Sequence, residues 1–176
     1  MRTLSRADWA HVPPEQLRFI MAGKSYLLAR SIYQLGALVW FAFNWRAGAA
    51  VFTGVNAAGV LLIMAGYALR RWARVILGER FRGWEVRREE RGLEDGGPYR
   101  YFRHPGYIGL ALMDLGWPLA LGVPAALLLW FPLAWLMWRR VVAEEQLLRQ
   151  AYPREYPAYA ATRSRAVSTR DSSRPS

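Results

Sequence analysis

Long apolar segments alternate with short charged ones along the chain, and this pattern predicts membrane-spanning helices. The segments with few or no charges are 26–44, 47–69 and 105–138. As helices, each is long enough to cross the hydrocarbon core of a bilayer, which is roughly 30 Å thick. Arg30 and Asp114 are the charged residues within them.

The third segment is too long for a single span. Its 34 residues would form a helix of about 51 Å, well beyond the hydrocarbon core. Pro118, Gly122 and Pro124 supply a break, so the segment is expected to fold back as a helical hairpin with arms at 105–121 and 124–140. The predicted fold is an all-α polytopic membrane protein with about four transmembrane helices.

The positive charges predict how these spans are oriented. Lysine and arginine number five in residues 1–30, ten in residues 70–103 and eight from residue 139 onward, against one at Arg46 and none at the hairpin turn. Because positively charged loops stay on the cytoplasmic side, both termini and the central loop are predicted to be cytoplasmic. The chain is therefore expected to be a multi-pass integral membrane protein.

The composition narrows the class of protein further. The chain has 176 residues, a net charge of +11 and no cysteine, which fits one domain without disulfides or a thiolate metal site. Nucleic-acid binding would need the charge on a soluble surface, whereas here it lies between apolar segments. Pro13 and Pro14 predict a short surface helix near the N-terminus. The expected divisions are a cytosolic or interfacial segment (1–24), a membrane domain (25–163) and a disordered tail (164–176).

The two arms of the hairpin are expected to bring polar residues together at the cytoplasmic boundary. Antiparallel arms place positions equally far from the turn at similar depth, so His104 is expected at about the depth of Arg139 and Arg140. Glu144 and Glu145 would lie about 6 Å further along the helix. Such a place suits a pocket for a polar cytosolic cofactor and a lipid-like substrate that arrives through the bilayer. The same boundary is predicted to hold Tyr99, Arg103 and Tyr107.

Each of these residues also has a simpler interpretation. His104 precedes Pro105 and could cap the third span. Glu144 and Arg140 could form a pair within one helix that contributes a few tenths of a kcal/mol. The tyrosines could anchor the membrane interface. These alternatives stay open at the level of sequence.

Two charged residues lie inside the predicted spans. Arg30 is expected to extend toward the inner surface, with its charged end in water. Asp114 is expected to face the bundle and find a partner, because a carboxylate in mid-span costs about 2.5–3.5 kcal/mol on insertion scales. That partner could be a cofactor group or a neighbouring helix.

The stretch from Gly97 to Gly109, GPYRYFRHPGYIG, resembles the signature of the isoprenylcysteine carboxyl methyltransferase family and its phospholipid methyltransferase relatives. The later EEQLL at 144–148, followed by Tyr152, Tyr156, Tyr159, Thr162 and Arg163, is similar to the ending of the same family. The resemblance covers residues 84–163, in order and with family-like spacing.

This resemblance implies a small helical membrane enzyme whose C-terminal half encloses S-adenosylmethionine at the cytosolic face. Arg140 matches the arginine that the family places toward the substrate, and Arg103 is the second candidate catalytic residue. The expected partners are membrane lipid and a lipophilic or prenylated acceptor, with carboxylate O-methylation favoured and no metal ion required. The cofactor pocket is expected to be lined by Leu93, Tyr99, His104, Pro105, Gly106, Tyr107, Glu144 and Glu145.

Some positions depart from the family pattern. Glu94 stands where an apolar residue is usual, Gly106 replaces a bulkier residue, and Tyr152 and Pro153 replace a Phe-Gly pair. These departures bear on the details of the pocket, above all on its contacts to the adenine ring.

Two other classes of protein stay open. Membrane reductases that use NADPH on sterol-type or isoprenoid lipids carry a similar His-Pro motif, usually with an acidic residue after its last glycine. Here Leu110 and Ala111 follow Gly109, which favours the methyltransferases. A non-enzymatic membrane protein, in which the motif only shapes the hairpin, is the third class. The sequence leaves the oligomeric state open.

Overall fold

The computed structural model describes residues 13–47, 53–78 and 93–163, and within these ranges the regular elements are all helical. The all-α prediction is confirmed. The predicted tail at 164–176 lies outside the described residues, as do residues 1–12 and the part of the resembling region at 84–92. The helices are α1 (Pro14–Arg46), α2 (Gly54–Leu77), α3 (Pro105–Ala120), α4 (Leu127–Ala151) and α5 (Glu155–Thr162), with short 3-10 helices at Gly97–Arg100 and Pro124–Ala126.

The predicted hairpin is present. α3 ends at Ala120, Gly122 turns the chain with a φ of 69°, and helical structure resumes at Pro124. A φ of this sign is accessible to glycine at little cost, which explains the residue at the turn. α4 then continues to Ala151, so it carries the predicted arm and the twin glutamates on one helix.

Two helices are longer than the apolar pattern predicts. α1 runs without a break from Pro14, so the short surface helix predicted there and the first predicted span are one helix. α2 continues to Leu77 and carries the first basic residues of the central loop, including Arg70. Charged side chains do not end these helices, because arginine and lysine are good helix formers.

Glycines bring α2 and α3 into close contact. A Cβ atom at Gly66 would lie 2.5 Å from the main-chain oxygen of Gly109, and one at Gly116 would lie 2.5 Å from that of Gly59. Gly59 and Gly66 on α2 are seven residues apart, as are Gly109 and Gly116 on α3, so the two glycines of each helix lie on one face. The absence of a side chain at these positions therefore allows the two helices to pack closely.

Asp114 connects α3 to α1. Its carboxylate accepts hydrogen bonds from the Tyr26 hydroxyl and from Nε of Arg30, both at 2.6 Å, and Tyr33 donates to its main-chain oxygen at 3.0 Å. Asp114 is only 1% exposed. The expectation that it faces the bundle is confirmed, and its partners are helix neighbours. The expectation that Arg30 keeps its charged end in water was wrong: its guanidinium pairs with the buried carboxylate, a strong acceptor within reach.

The outer surface of the helices is apolar. Leu28 and Ile32 on α1, Leu61 on α2 and Phe131 on α4 are each more than 60% exposed. Exposed large apolar side chains on several helices are unusual in such number for a protein in water and suit contact with lipid. Two segments, α1 and Pro124–Ala151, are long and apolar enough to cross a membrane by length and composition.

The start of α1 and the end of α4 meet, as do the end of α2 and the start of α3. Phe19 packs against Ala143 and Leu147, and Arg70 donates to the main-chain oxygen of Gly106 at 3.2 Å. The motif that opens α3 and the glutamates near the end of α4 therefore lie at the same end of the bundle.

Candidate functional site

The backbone conformation of the loop before α3 is fixed by a glycine and by a hydrogen bond from the main chain to a side chain. Gly97 has a φ of 54°, and a Cβ there would lie 2.8 Å from Cγ1 of Ile76, so both conformation and space require glycine. The Glu94 carboxylate accepts a hydrogen bond from the main-chain N–H of Gly96 at 3.0 Å. Glu94, one of the departures from the family pattern, therefore shapes this loop.

His104 lies immediately before α3 and is 6% exposed. Its side chain makes no capping hydrogen bond to the helix, so the simpler interpretation does not explain where it points. Nε2 lies 3.3 Å from a carboxylate oxygen of Glu145, and Nδ1 lies 4.0 Å from one of Glu144. The imidazole is thus held between two adjacent carboxylates.

Tyr107 connects Arg140 and Glu144, which lie four residues apart on the same side of α4. Its hydroxyl donates to Glu144 at 2.6 Å and accepts from Nε of Arg140 at 2.7 Å. The Arg140 guanidinium also lies 4.7 Å from the centre of the Phe19 ring, a cation–π contact with α1. Arg140 is therefore held in one place by a hydroxyl from α3 and an aromatic face from α1.

Arg103 and Arg163 tie α5 to the loop before α3. Arg103 donates to the main-chain oxygens of Ala160 and Arg163, and Arg163 donates to that of Tyr99 at 2.9 Å. Arg103 also lies 3.6 Å from Glu145. Sequence reasoning missed this reciprocal arrangement, and the signal that could have indicated it was the arginine at the end of the family-like C-terminal pattern.

Three tyrosines close to this cluster resist ionisation. Burial raises the pKa of Tyr99, and the negative charge of Glu144 raises it further. Burial raises the pKa of Tyr159 to about 12, and burial together with Glu145 raises that of Tyr156. All three are therefore neutral near pH 7 and keep a hydroxyl proton to donate.

Tyr156 stands out among these tyrosines. It is 1% exposed, and its buried hydroxyl finds no hydrogen-bond partner among the described residues. A buried hydroxyl without a partner costs about 1–3 kcal/mol, so such groups are uncommon without a reason. Sequence reasoning noted Tyr156 only as part of the family-like ending and gave it no role.

The structure brings most of the predicted site residues together. Contacts connect Arg103, His104, Tyr107, Arg140, Glu144 and Glu145 directly, and Tyr99 lies within electrostatic range of Glu144. Pro105 and Gly106 form the first turn of α3 beside them. Leu93 is half-buried at the start of the loop that leads to Gly97. The predicted roles of all these residues in binding and catalysis stay predictions.

Comparison with known proteins adds independent information. A family model described as phospholipid methyltransferase matches residues 55–155, a stretch that includes α3 and the contacting residues of α4. Two curated relatives, from Oryza sativa subsp. indica and subsp. japonica, are named probable protein-S-isoprenylcysteine O-methyltransferase. Each is 32% identical over 111 residues, which covers 60% of this chain and 57% of the relative. The chain thus matches little more than half the length of these relatives. No solved structure matches the chain.

Proposed function

The chain belongs to the phospholipid methyltransferase family, and we propose that it is an S-adenosylmethionine-dependent integral membrane methyltransferase. Its acceptor is a lipid-like or prenyl-type molecule, and the group methylated is a carboxylate. One observation carries this proposal. The residues of the family-like motif and the twin glutamates, which are 40 positions apart in sequence, meet in one cluster around His104 and Tyr107.

The membrane arrangement that goes with this function has four spans. α1 and Pro124–Ala151 are apolar and long enough to cross, and α2 and α3 pack closely beside them through glycines. The end of the bundle that holds the cluster is also the end richest in arginine, which supports a cytoplasmic location for it. A cofactor made in the cytosol and an acceptor dissolved in the membrane could meet there.

The residues present fit S-adenosylmethionine. Its sulfonium is a cation, and the cluster offers the carboxylates of Glu144 and Glu145 beside the faces of Tyr99 and Tyr107. The buried hydroxyl of Tyr156, which lacks a partner among the described residues, is a donor that a polar ligand could satisfy. When bound, S-adenosylmethionine supplies a methyl group whose bond to sulfur breaks as its bond to an acceptor oxygen forms.

The side chains of the cluster have distinct roles in this proposal. Arg140, held by Tyr107 and Phe19, orients the acceptor carboxylate. A carboxylate is ionised at pH 7 and needs no general base, so alignment and exclusion of water are the main requirements. His104 positions the two glutamates. Arg103 acts as a positioning residue that fixes α5, because its guanidinium is engaged by main-chain oxygens and Glu145.

Calorimetry with S-adenosylhomocysteine tests the cofactor assignment. The purified protein should bind it, Glu144→Ala should weaken binding, and Glu155→Ala, which removes an exposed carboxylate on α5, should leave binding unchanged. Equal binding by wild type and Glu144→Ala would remove Glu144 from the site. Binding of NADPH instead would indicate a reductase, and binding of neither nucleotide would indicate a non-enzymatic protein.

Transfer of a labelled methyl group tests the acceptor. The protein is supplied with labelled S-adenosylmethionine and either a prenylcysteine with a free carboxylate or a phospholipid with a primary amine. Base-labile label on the prenylcysteine is expected, because methyl esters hydrolyse in base. Stable label on the phospholipid amine would keep the methyltransferase assignment and overturn the choice of a carboxylate.

A further inference from the structure

A groove of about 260 Å³ lies between α1 and α4 on the outside of the bundle. Its apolar lining comes from Leu17, Met21 and Leu136. Its polar lining comes from Arg18, Ser25 and Arg139. The groove is distinct from the cluster around His104, although Arg139 adjoins Arg140 in sequence. Arg140 faces Phe19 and Tyr107, whereas the Arg139 guanidinium lies 5.0 Å from the centre of the Trp135 ring.

The polar side of the groove is positively charged. Arg18 and Arg139 are both exposed, and among the described residues the lining of the groove includes no carboxylate. The hydroxyl of Ser25 donates to the main-chain oxygen of Met21 at 2.9 Å, so its proton is used within α1. Two guanidinium groups are therefore the recognition elements, and the anion that suits their planar donor geometry is a phosphate or a carboxylate.

The apolar side of the groove continues along α1. Met21, Leu28, Ile32, Leu35 and Val39 are each exposed by more than 60% and recur at intervals of three, four or seven residues, so they form one stripe. From Met21 to Val39 this stripe is about 27 Å long at the helical rise. One leaflet of the hydrocarbon core is about 15 Å thick, so the stripe can accommodate a complete acyl chain.

We propose that this groove is a binding site for an anionic phospholipid. The phosphodiester lies between Arg18 and Arg139, and an acyl chain extends from Met21 along the exposed stripe of α1. The combination of paired guanidinium groups with an adjoining apolar stripe matches a ligand that has an anionic head and a long apolar tail. A soluble phosphate would use the arginines but not the stripe, and a zwitterionic lipid would bring an ammonium group close to both of them.

Lipid binding to the purified protein in detergent tests this site without any methyl donor. Native mass spectrometry measures the binding of phosphatidylglycerol and of phosphatidylcholine to wild type and to the double variant Arg18→Gln/Arg139→Gln. Each arginine is expected to contribute about fivefold in affinity, so the double variant should lose about 25-fold for phosphatidylglycerol. The matched control is Arg46→Gln/Arg71→Gln, which removes two exposed arginines that do not line the groove. It should change binding by less than about twofold, because neither residue contacts the proposed head group.

Three results would overturn the proposal. The first is equal affinity of wild type and the groove variant for phosphatidylglycerol. The second is a loss of phosphatidylglycerol affinity in the control variant as large as that in the groove variant. The third is phosphatidylcholine binding as tight as that of phosphatidylglycerol. Competition by inorganic phosphate would indicate a site for a soluble anion instead. If the double glutamine variant does not fold, the single variants Arg18→Gln and Arg139→Gln should each show about a fivefold loss, and a loss in neither would be equally decisive.

Discussion

Replacing Asp114 by leucine is expected to destabilise the bundle strongly, because the substitution leaves the Arg30 guanidinium inside it without its carboxylate. Nε of Arg30 lies 2.6 Å from a carboxylate oxygen of Asp114, and counting side-chain atoms alone the exposed fractions are 19% and 2%. Arg70 lies close enough to interact electrostatically with both residues. Removal of the carboxylate therefore also leaves two guanidinium groups that repel each other.

The magnitude follows from the contacts that are lost. Removal of one partner from a buried ion pair costs about 3–5 kcal/mol. Asp114→Leu also removes the acceptor of the Tyr26 hydroxyl, so the upper end of that range is expected. Arg30→Met should cost a similar amount, because it leaves a buried carboxylate. The double variant carries neither charge and loses mainly the Tyr26 hydrogen bond, so it should be destabilised by about 2–3 kcal/mol.

Unfolding by sodium dodecyl sulfate in mixed micelles, followed by tryptophan fluorescence, gives the free energy of unfolding for wild type, both single variants and the double variant. Independent residues would give a double variant that is about 6–10 kcal/mol less stable than wild type. The buried pair instead predicts that the double variant is no less stable than either single variant. Arg46→Met, which removes an exposed arginine at the end of α1, is the control and should match wild type. Strict additivity of the two single effects would refute the pairing, and a fully stable Asp114→Leu would refute the cost assigned to burial.

Three further predictions concern the cluster, the helix packing and the tyrosines. Tyr107→Phe should lower the rate of methyl transfer about 10- to 100-fold, because it removes two hydrogen bonds to charged groups. The helical circular dichroism should be unchanged. Full activity would contradict the role of the hydroxyl in holding Arg140 and Glu144. Gly66→Ala should cost about 1–3 kcal/mol of unfolding free energy through overpacking against Gly109, whereas Gly36→Ala, which meets nothing within 4 Å, should not destabilise the protein. Because burial raises the pKa of Tyr159 from its ordinary value of 10 to about 12, its contribution to stability is present below pH 10 and lost as the pH rises toward 12. Tyr159→Phe should therefore make the unfolding free energy fall less steeply over that range, and an unchanged slope would count against this assignment.

The hairpin could be predicted from sequence because its determinants are local. Pro118, Gly122 and Pro124 interrupt an apolar segment that is too long to cross once, and no other element is needed to infer the fold-back. The prediction of which residues of the two arms lie at the same depth was less accurate. His104 contacts Glu145 rather than lying level with Arg140, since the short helix after Pro124 places the centre of the turn later than Leu121.

The contacts that α1 makes with α3 and α4 could not be predicted, because they join residues that are far apart in sequence. Arg30 and Asp114 were recognised as the charged residues inside spans, yet nothing in a hydropathy pattern indicates that they face each other. Phe19 is a comparable case, because an aromatic residue near the start of an apolar helix gives no sign that it lies against Arg140. Such pairings depend on the rotation of each helix about its axis, which α1 acquires only by packing against α3 and α4.

The same rotation explains why two consecutive glutamates can serve one imidazole. Successive residues of an α-helix differ in direction by about 100°, so Glu144 and Glu145 diverge from α4. Glu144 is turned toward Tyr107 and Nδ1 of His104, and Glu145 is turned toward Arg103 and Nε2. A single carboxylate could contact one side of the ring, but it could not also connect both the Tyr107–Arg140 pair and the Arg103–α5 attachment. Glu144 and Glu145 thus connect Arg140, the side chain assigned to the proposed acceptor, with α5, the helix that carries Tyr156. A change in the register of α4 would break this connection.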